Sequence, residues 1–276
     1  MVAFGARLGY SFPPHLMNLQ GKAAVVTGAS RGVGRATALA LARGGCSVLI
    51  SFNSSREEAE RTAAEVRALG VKSACVQGDV AEDSVCRSLM AAAASEFGRL
   101  DVLINNAGTT RFISFADLDA VTSADWERIF AVNLRGPFQC ARAARPYLEA
   151  AGAGVIINVA SVAGLTGAGS SIPYCASKAG VINLTLALAR TLGPKIRVNA
   201  VAPGFIEGEW LRKGLGTDYA AAREARAQHA VLGRVCQPED VAAAILSLIS
   251  TDLVTGQALV VDGGHSIGPR LAHGIK

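Results

Sequence analysis

The sequence predicts a single doubly wound α/β domain, a seven-stranded parallel sheet with helices on both faces. Three observations predict it. Short apolar runs alternate with helical stretches almost throughout the chain. The runs are continuously apolar rather than alternating in polarity, as strands covered on both faces require. A glycine-rich turn then joins the first run directly to a helix.

The candidate strands are residues 23–27, 47–52, 72–77, 102–105, 155–159, 197–201 and 258–261. The helices between them carry visible punctuation. One runs from Gly34 to the Gly44-Gly45 pair. The next opens at Ser55-Arg56-Glu57-Glu58, the spacing of a capping box, and stops at Gly70. Pro238 stands at a first helical position, with Glu239 and Asp240 suited to a helix N-terminus. Apolar helices are expected around 126–148 and 179–192, and an amphipathic one over 219–230. Nothing repeats and composition does not break after residue 20, so residues 17–276 read as one domain. Residues 1–16 hold two prolines, Arg7 and His15 and no apolar stretch of signal-peptide type. They are expected to form a flexible extension ahead of a natural start at Met17.

Half of the 276 residues are apolar and 18% are charged, enough to bury a large core. No run of about 18 uncharged apolar residues predicts a membrane span. The formal charge of +5 suits anionic ligands such as nucleotide phosphates. Basic residues are dispersed and aromatics are 5%, which argues against a nucleic-acid binder. The six cysteines form no CxxC pair and lie far apart. That argues against a metal centre or disulfide scaffold and for reduced thiols in the cytoplasm, most of them small core residues.

The first strand runs into Thr27-Gly28-Ala29-Ser30-Arg31-Gly32-Val33-Gly34, which opens a helix. Glycines there allow a tight turn and let backbone approach a pyrophosphate at a helix N-terminus, the Rossmann-type arrangement. A glycine turn that binds nothing is the competing reading. An NAD site places an acid about 20 residues on, at the end of the second strand, to hold the ribose 2′-hydroxyl. Here that stretch reads Ser51-Phe52-Asn53-Ser54-Ser55, with no acid. Arg31, with free N–H groups of the helix starting near Ser55, suits a 2′-phosphate instead. A charge-assisted hydrogen bond is worth roughly 1.5–3 kcal/mol, so NADP(H) is the expected cofactor.

Tyr174 and Lys178 stand four apart in Tyr-Cys-Ala-Ser-Lys and share one helix face. Tyrosine is a poor base at neutral pH. A nearby ammonium, with the positive charge of an oxidised nicotinamide, is expected to favour the phenolate; lowering the pKa by about three units needs roughly 4 kcal/mol. Ser161, at the end of a buried strand, is expected to hold a substrate oxygen.

Together the loop at 27–34, Asn105-Asn106-Ala107-Gly108, Asn133, Ser161, Tyr174-x-x-x-Lys178 and Pro203-Gly204 resemble the short-chain dehydrogenase/reductase family in order and spacing. The resemblance covers about residues 18–268. It implies a catalytic tetrad of Asn133, Ser161, Tyr174 and Lys178, with Asn133 holding a relay water at a helix break. It also implies that Lys178 binds the nicotinamide ribose, that Asp79-Val80 contacts adenine, and that Asn106, Ala107 and Gly108 line the cofactor. The Ile206 backbone, after Pro203-Gly204, is implied to meet the carboxamide.

Ala-Pro-Gly-Phe-Ile-Glu at 202–207 and Gly233-Arg234…Pro238-Glu239-Asp240-Val241 are most similar to 3-oxoacyl-carrier-protein reductases. Two features depart from that branch. Gly208 stands where threonine is usual, and Gly152-Ala153-Gly154 and Pro194-Lys195 stand where carrier-binding arginines are expected. The expected substrate is a small carbonyl compound or its alcohol; an acyl-carrier-protein or CoA thioester and polycyclic, sugar or xenobiotic ketones stay open. The resemblance implies a homotetramer. An NAD-linked alcohol dehydrogenase and a cofactor-binding sensor without turnover are the alternatives. The segment 205–232, with Trp210, Leu211, Leu215 and Tyr219 and glycines at 208, 214 and 216, is expected to cover the substrate as a mobile lid.

Overall fold

The computed structural model describes residues 17–269. The extension expected over residues 1–16 lies outside the described residues. Seven strands form one parallel sheet: β1 Ala23–Val26, β2 Ser47–Phe52, β3 Ser73–Gln77, β4 Val102–Asn105, β5 Gly154–Val159, β6 Ile196–Pro203 and β7 Ala258–Val261. All are pure apolar or nearly apolar runs, and each shifts from its expected bounds by two residues at most.

The helices are α1 Gly32–Arg43, α2 Arg56–Ala68, α3 Asp83–Phe97, α4 Ser123–Phe130, α5 Gly136–Ala150, α6 Ala163–Thr166, α7 Ile172–Leu192, α8 Glu209–Leu215, α9 Tyr219–His229 and α10 Pro238–Ser250. The stretch expected as one helix around 126–148 is two, α4 and α5, joined by a π-helical turn at Ala131–Arg135. Such a turn takes an extra residue and re-aims side chains. Here it turns Asn133 inward, where its amide closes on the Thr109 backbone.

The strand order is β3-β2-β1-β4-β5-β6-β7. The chain starts in the middle, winds outward to β3, then returns past β1 to wind the other way. At the switch between β1 and β4 the following loops diverge and leave a crevice at the carboxyl ends of the strands, where ligands of such sheets bind.

Alternate strand residues build two cores. Val26, Val48, Ile50 and Ile104 face α1, α2 and α10. Val25, Leu49, Leu103 and Ile156 face α3, α5 and α7. Five of the six cysteines are buried, and Cys75 is half-buried. β7 departs from the expectation of strands covered on both faces: Leu259 and Val260 are exposed, because β7 is an edge strand. α7 is long and apolar enough by composition to cross a membrane, and half of that stretch is buried within the fold.

The capping box at Ser55 and Glu58 does not form. Ser55 is the N-cap of α2 but its ψ of 67° is not extended, and its hydroxyl makes no capping bond. The Glu58 carboxylate faces Arg31 instead. At α10 the cap does form: Gln237 and Asp240 satisfy each other's backbone N–H groups, with Pro238 at the first helical position.

Candidate active site

The loop after β1 is pinned from the end of β4. The Thr27 hydroxyl accepts from the N–H groups of Asn106 and Ala107, each at 3.0 Å. The Asn106 side-chain amide donates back to the carbonyls of Thr27 and Gly28, each at 2.9 Å. Gly28 and Gly32 take left-handed φ values of 63° and 54°, a region that costs other residues dearly. A Cβ on Gly34 would lie 2.5 Å from the Gly28 carbonyl oxygen, so only glycine lets α1 start this close to the loop. Ser30 is held through its carbonyl by Thr62.

What this loop presents fits a dinucleotide. The first turn of α1 has no acidic residue and no side-chain cap, so its N–H groups, through Gly32, Val33 and Gly34, are available to an anion. A Cβ on Gly32 would meet nothing within 4 Å, so this side of the turn is open. At the end of β2, Asn53 and Ser54 are exposed and Ser55 half-buried. Tertiary structure adds what the stretch itself lacks: Glu58 lies 3.6 Å and Glu209 of α8 4.0 Å from the Arg31 guanidinium. At the adenine end, Asp79 is fixed by the Ala81 N–H at 3.0 Å and by Arg128 at 2.6 Å, and Val80 is buried beside it.

The residues expected to handle the proton gather at the carboxyl end of β5. Tyr174 and Lys178 lie on the first turns of α7, both buried. The Ser161 hydroxyl lies near enough to the Tyr174 phenol to favour its ionised form. The Ser161 hydroxyl is itself positioned by the Ala163 N–H at 3.2 Å and the Pro203 carbonyl at 3.4 Å. The Lys178 ammonium donates to the Val159 carbonyl at 2.7 Å and stands 5.7 Å from the Tyr174 ring centre. Asn133 reaches Tyr174 through Ser177: its amide donates to the Ser177 hydroxyl at 3.1 Å, which donates to the Tyr174 carbonyl at 2.7 Å. Gly108 lies between Asn133 and Lys178, where a Cβ would be 3.6 Å from one and 3.8 Å from the other.

In the chain by itself, burial pushes the Tyr174 phenol up to about 12, against the nearby Ser161 hydroxyl, which favours the phenolate. Burial also pushes Lys178 down to about 8. With the ammonium engaged by Val159, the chain's own groups hold Tyr174 protonated across neutral pH. That is the form that donates a proton to an oxygen.

A cover lies over this group. Trp210, on α8, meets Tyr174 edge to face with ring centres 6.0 Å apart. Phe112 packs so closely under α8 that a Cβ on Gly214 would fall 2.0 Å from its ring. Gly204 lies against Asp262, and its N–H bonds Val261 at 2.9 Å, which fixes the Pro203-Gly204 turn. A bridge pairs Ile206 with Cys236 through the Phe205 carbonyl and Glu207 N–H, leaving the peptide groups of Ile206 itself out of it.

Sequence reasoning placed Thr27 in the loop but not its bonds to Asn106 and Ala107, and it missed Thr109, Ser177 and Phe112 and the pairing of Arg31 with Glu58 and Glu209. The Thr27–Asn106 and Arg31–Glu209 contacts join residues 79 and 178 positions apart, so no local pattern announces them. It also missed the buried ladder from Asn105 through Asn158 to Thr185, which ties β4 and β5 to α7 at 2.9 Å per bond.

A family model described as enoyl-(acyl carrier protein) reductase matches residues 28–266. The chain is 44% identical over 241 residues to a Streptomyces violaceoruber protein named as ketoacyl reductase 2 of the granaticin polyketide synthase, covering 87% of this chain and 94% of that one. It is 39% identical to a 3-oxoacyl-[acyl-carrier-protein] reductase of Staphylococcus aureus, over 88% and 97% of the two chains. A solved structure described as a short-chain dehydrogenase/reductase from Burkholderia xenovorans superposes with a TM-score of 0.82 at 37% identity, over 90% and 98% of the chains. These likenesses span the loop, the crevice and the Ser161–Tyr174–Lys178 group alike. The chain belongs to the short-chain dehydrogenase/reductase family, on the side of the 3-oxoacyl-carrier-protein reductases.

Proposed function

We propose that the chain reduces a ketone to a secondary alcohol with NADPH, using Tyr174 as the proton donor. One observation carries this reading: the buried Tyr174 ring sits between the Lys178 ammonium, 5.7 Å from its centre, and the Trp210 indole, 6.0 Å from it, at the carboxyl end of the sheet beside the cofactor loop. When bound, the nicotinamide supplies the hydride to the carbonyl carbon. Ser161 and Tyr174 orient the oxygen, and Tyr174 gives it the proton. The Lys178 ammonium, held beside the ring by the Val159 carbonyl, favours the phenolate left once the proton is given, solvent supplies the next proton, and Asn133 with Ser177 fixes the start of α7. Trp210 and α8 exclude water over the reacting centre. General acid catalysis of this kind contributes roughly 10²–10⁴-fold.

The loop at 28–34 would hold the pyrophosphate and Arg31, with Asn53, Ser54 and Ser55, the 2′-phosphate. Asp79 and Val80 would take the adenine, Asn106, Ala107, Gly108 and Lys178 the nicotinamide riboside, and Pro203, Gly204 and Ile206 the carboxamide. The substrate is a small carbonyl compound, with 3-oxoacyl thioesters of a carrier protein or of CoA within the class; the carrier-protein form is supported by the name of a relative. Reduced, mostly buried thiols support the cytoplasm as its place of work. One observation favours a second reading, an NAD-linked alcohol dehydrogenase: Glu58 and Glu209 already face Arg31 and oppose a 2′-phosphate there. Following NADPH and NADH absorbance with a panel of ketones and a 3-oxoacyl thioester decides between them. Turnover faster with NADH, or none with any ketone, overturns the proposal.

A further inference from the structure

Arg31 is the cation that the loop offers to a 2′-phosphate, yet its guanidinium stands between two carboxylates, Glu58 at 3.6 Å and Glu209 at 4.0 Å. They come from different places. Glu58 belongs to α2, packed on the same half of the sheet as the loop. Glu209 is the first residue of α8, a helix with no buried residue. The neighbouring residue, Trp210, is the one that covers Tyr174. Two consecutive side chains therefore connect the phosphate-reading arginine to the ring over the proton donor.

We propose that Glu209 tunes cofactor specificity by competing with the 2′-phosphate for Arg31, so that NADP(H), and not NAD(H), releases the first turn of α8 from the cofactor loop. The inference rests on the reading that Arg31 meets the 2′-phosphate. A phosphate carrying nearly two charges outcompetes one carboxylate for a guanidinium and can take it bidentately. Release leaves the carboxylate with a partner, because Lys213, one turn along α8, lies 4.0 Å from Glu209. A 2′-hydroxyl carries no charge and leaves the Arg31–Glu209 pair in place. The free energy that NADP(H) spends on breaking the pair is subtracted from its binding, and the same act loosens the element that carries Trp210.

The pair is exposed, and exposed pairs are worth little, so the expected change is modest. In Glu209→Gln, NADPH should bind about two- to five-fold tighter by fluorescence titration, with NADH affinity unchanged. The gain should shrink as salt is raised. Hydrogen exchange over 209–215 gives the second readout. In the wild type, NADP⁺ at saturation should leave these amides exchanging faster than NAD⁺ does. In Glu209→Gln the two cofactors should give the same exchange there, and Glu209→Asp should restore part of the difference. Unchanged NADPH affinity in Glu209→Gln, or equal exchange with both cofactors in the wild type, overturns the proposal. Arg31→Ala separates the two layers: if it weakens NADPH alone while Glu209→Gln does nothing, the reading of Arg31 stands and the role of Glu209 falls. If Arg31→Ala weakens both cofactors equally, the reading of Arg31 itself fails.

Discussion

The indole of Trp210 stands edge-on to the phenol of Tyr174, with ring centres 6.0 Å apart and planes at 73°. Burial is the largest cause of the rise in the Tyr174 pKa, and Trp210 is part of that burial. Trp210→Ala should therefore bring the pKa down toward its ordinary value. Alcohol oxidation needs the phenolate, so its rate rises with pH through this pKa. The rise should move to lower pH in the variant. A pH profile unchanged from wild type would show that the ring does not govern the phenol's surroundings.

Tyr174→Phe should keep the fold and cofactor affinity while lowering turnover about 10²–10⁴-fold. Only the hydroxyl is lost, and the ring keeps its buried place on α7. Near wild-type turnover, measured alongside unaltered circular dichroism, would remove Tyr174 from the chemistry.

Arg31→Ala should raise the KM for NADPH about 10- to 150-fold and that for NADH little. The Glu58 carboxylate beside Arg31 opposes the phosphate, so the lower end of that range is expected. Equal losses for both cofactors would mean that the 2′-phosphate is read elsewhere.

Most of this fold was legible because parallel strands buried on both faces are uninterrupted apolar runs, and because glycine and proline mark where helices stop and start. Tyr174, Lys178 and Ser161 were legible as a set through spacing within α7 and the position of Ser161 at the end of β5. Two kinds of feature were harder to read. The break at Asn133 came only from the family resemblance, because the π turn at Ala131–Arg135 is stabilised by the Asn133 bond to Thr109, 24 residues away, with no local turn signal. The sign of the Tyr174 shift depends on how deeply the ring is covered and on where the Lys178 ammonium points. Both are tertiary facts, and the second is settled by the Val159 carbonyl.

Lys178→Met tests the same point through stability. Burial pushes the Lys178 ammonium down to about 8, below the ordinary 10.5 of a lysine. A depressed lysine is a cost to folding, fully present below pH 8, and it fades as pH rises from 8 to 10.5. The whole window is worth about 3 kcal/mol. At pH 7 the methionine escapes that cost but leaves the Val159 carbonyl unpaired, which takes back about 1–3 kcal/mol. The variant's stability relative to wild type should therefore fall as pH rises above 8. Urea unfolding at pH 7 and pH 9.5 reads this, and a difference independent of pH would mean that the ammonium is not desolvated.

The last prediction is that four copies of the chain assemble. α7 carries Tyr174 and Lys178, both buried, and its outer face is also apolar: Leu186 and Ala187 are exposed and Leu184 half-buried. That face borders a groove of about 1030 Å³ between α4, the π turn, α5 and α7, lined by Phe130, Leu134, Phe138, Gly180, Leu184 and Ala187. An apolar surface of this kind marks an interface. A two-fold axis lets α5 and α7 meet their own copies, which closes the contact without leaving a second open patch. The exposed Leu259 and Val260 on edge strand β7 ask for a second axis, and two axes give four chains. Light scattering should give about four times the chain mass of 28.4 kDa. Ala187→Glu should break the first contact and Val260→Lys the second, each leaving dimers. The two dimers should differ in function, because only the first contact braces the helix that holds Tyr174 and Lys178. Ala187→Glu should lower turnover as well as mass, whereas Val260→Lys should lower mass alone. A wild-type mass of one chain would refute the assembly.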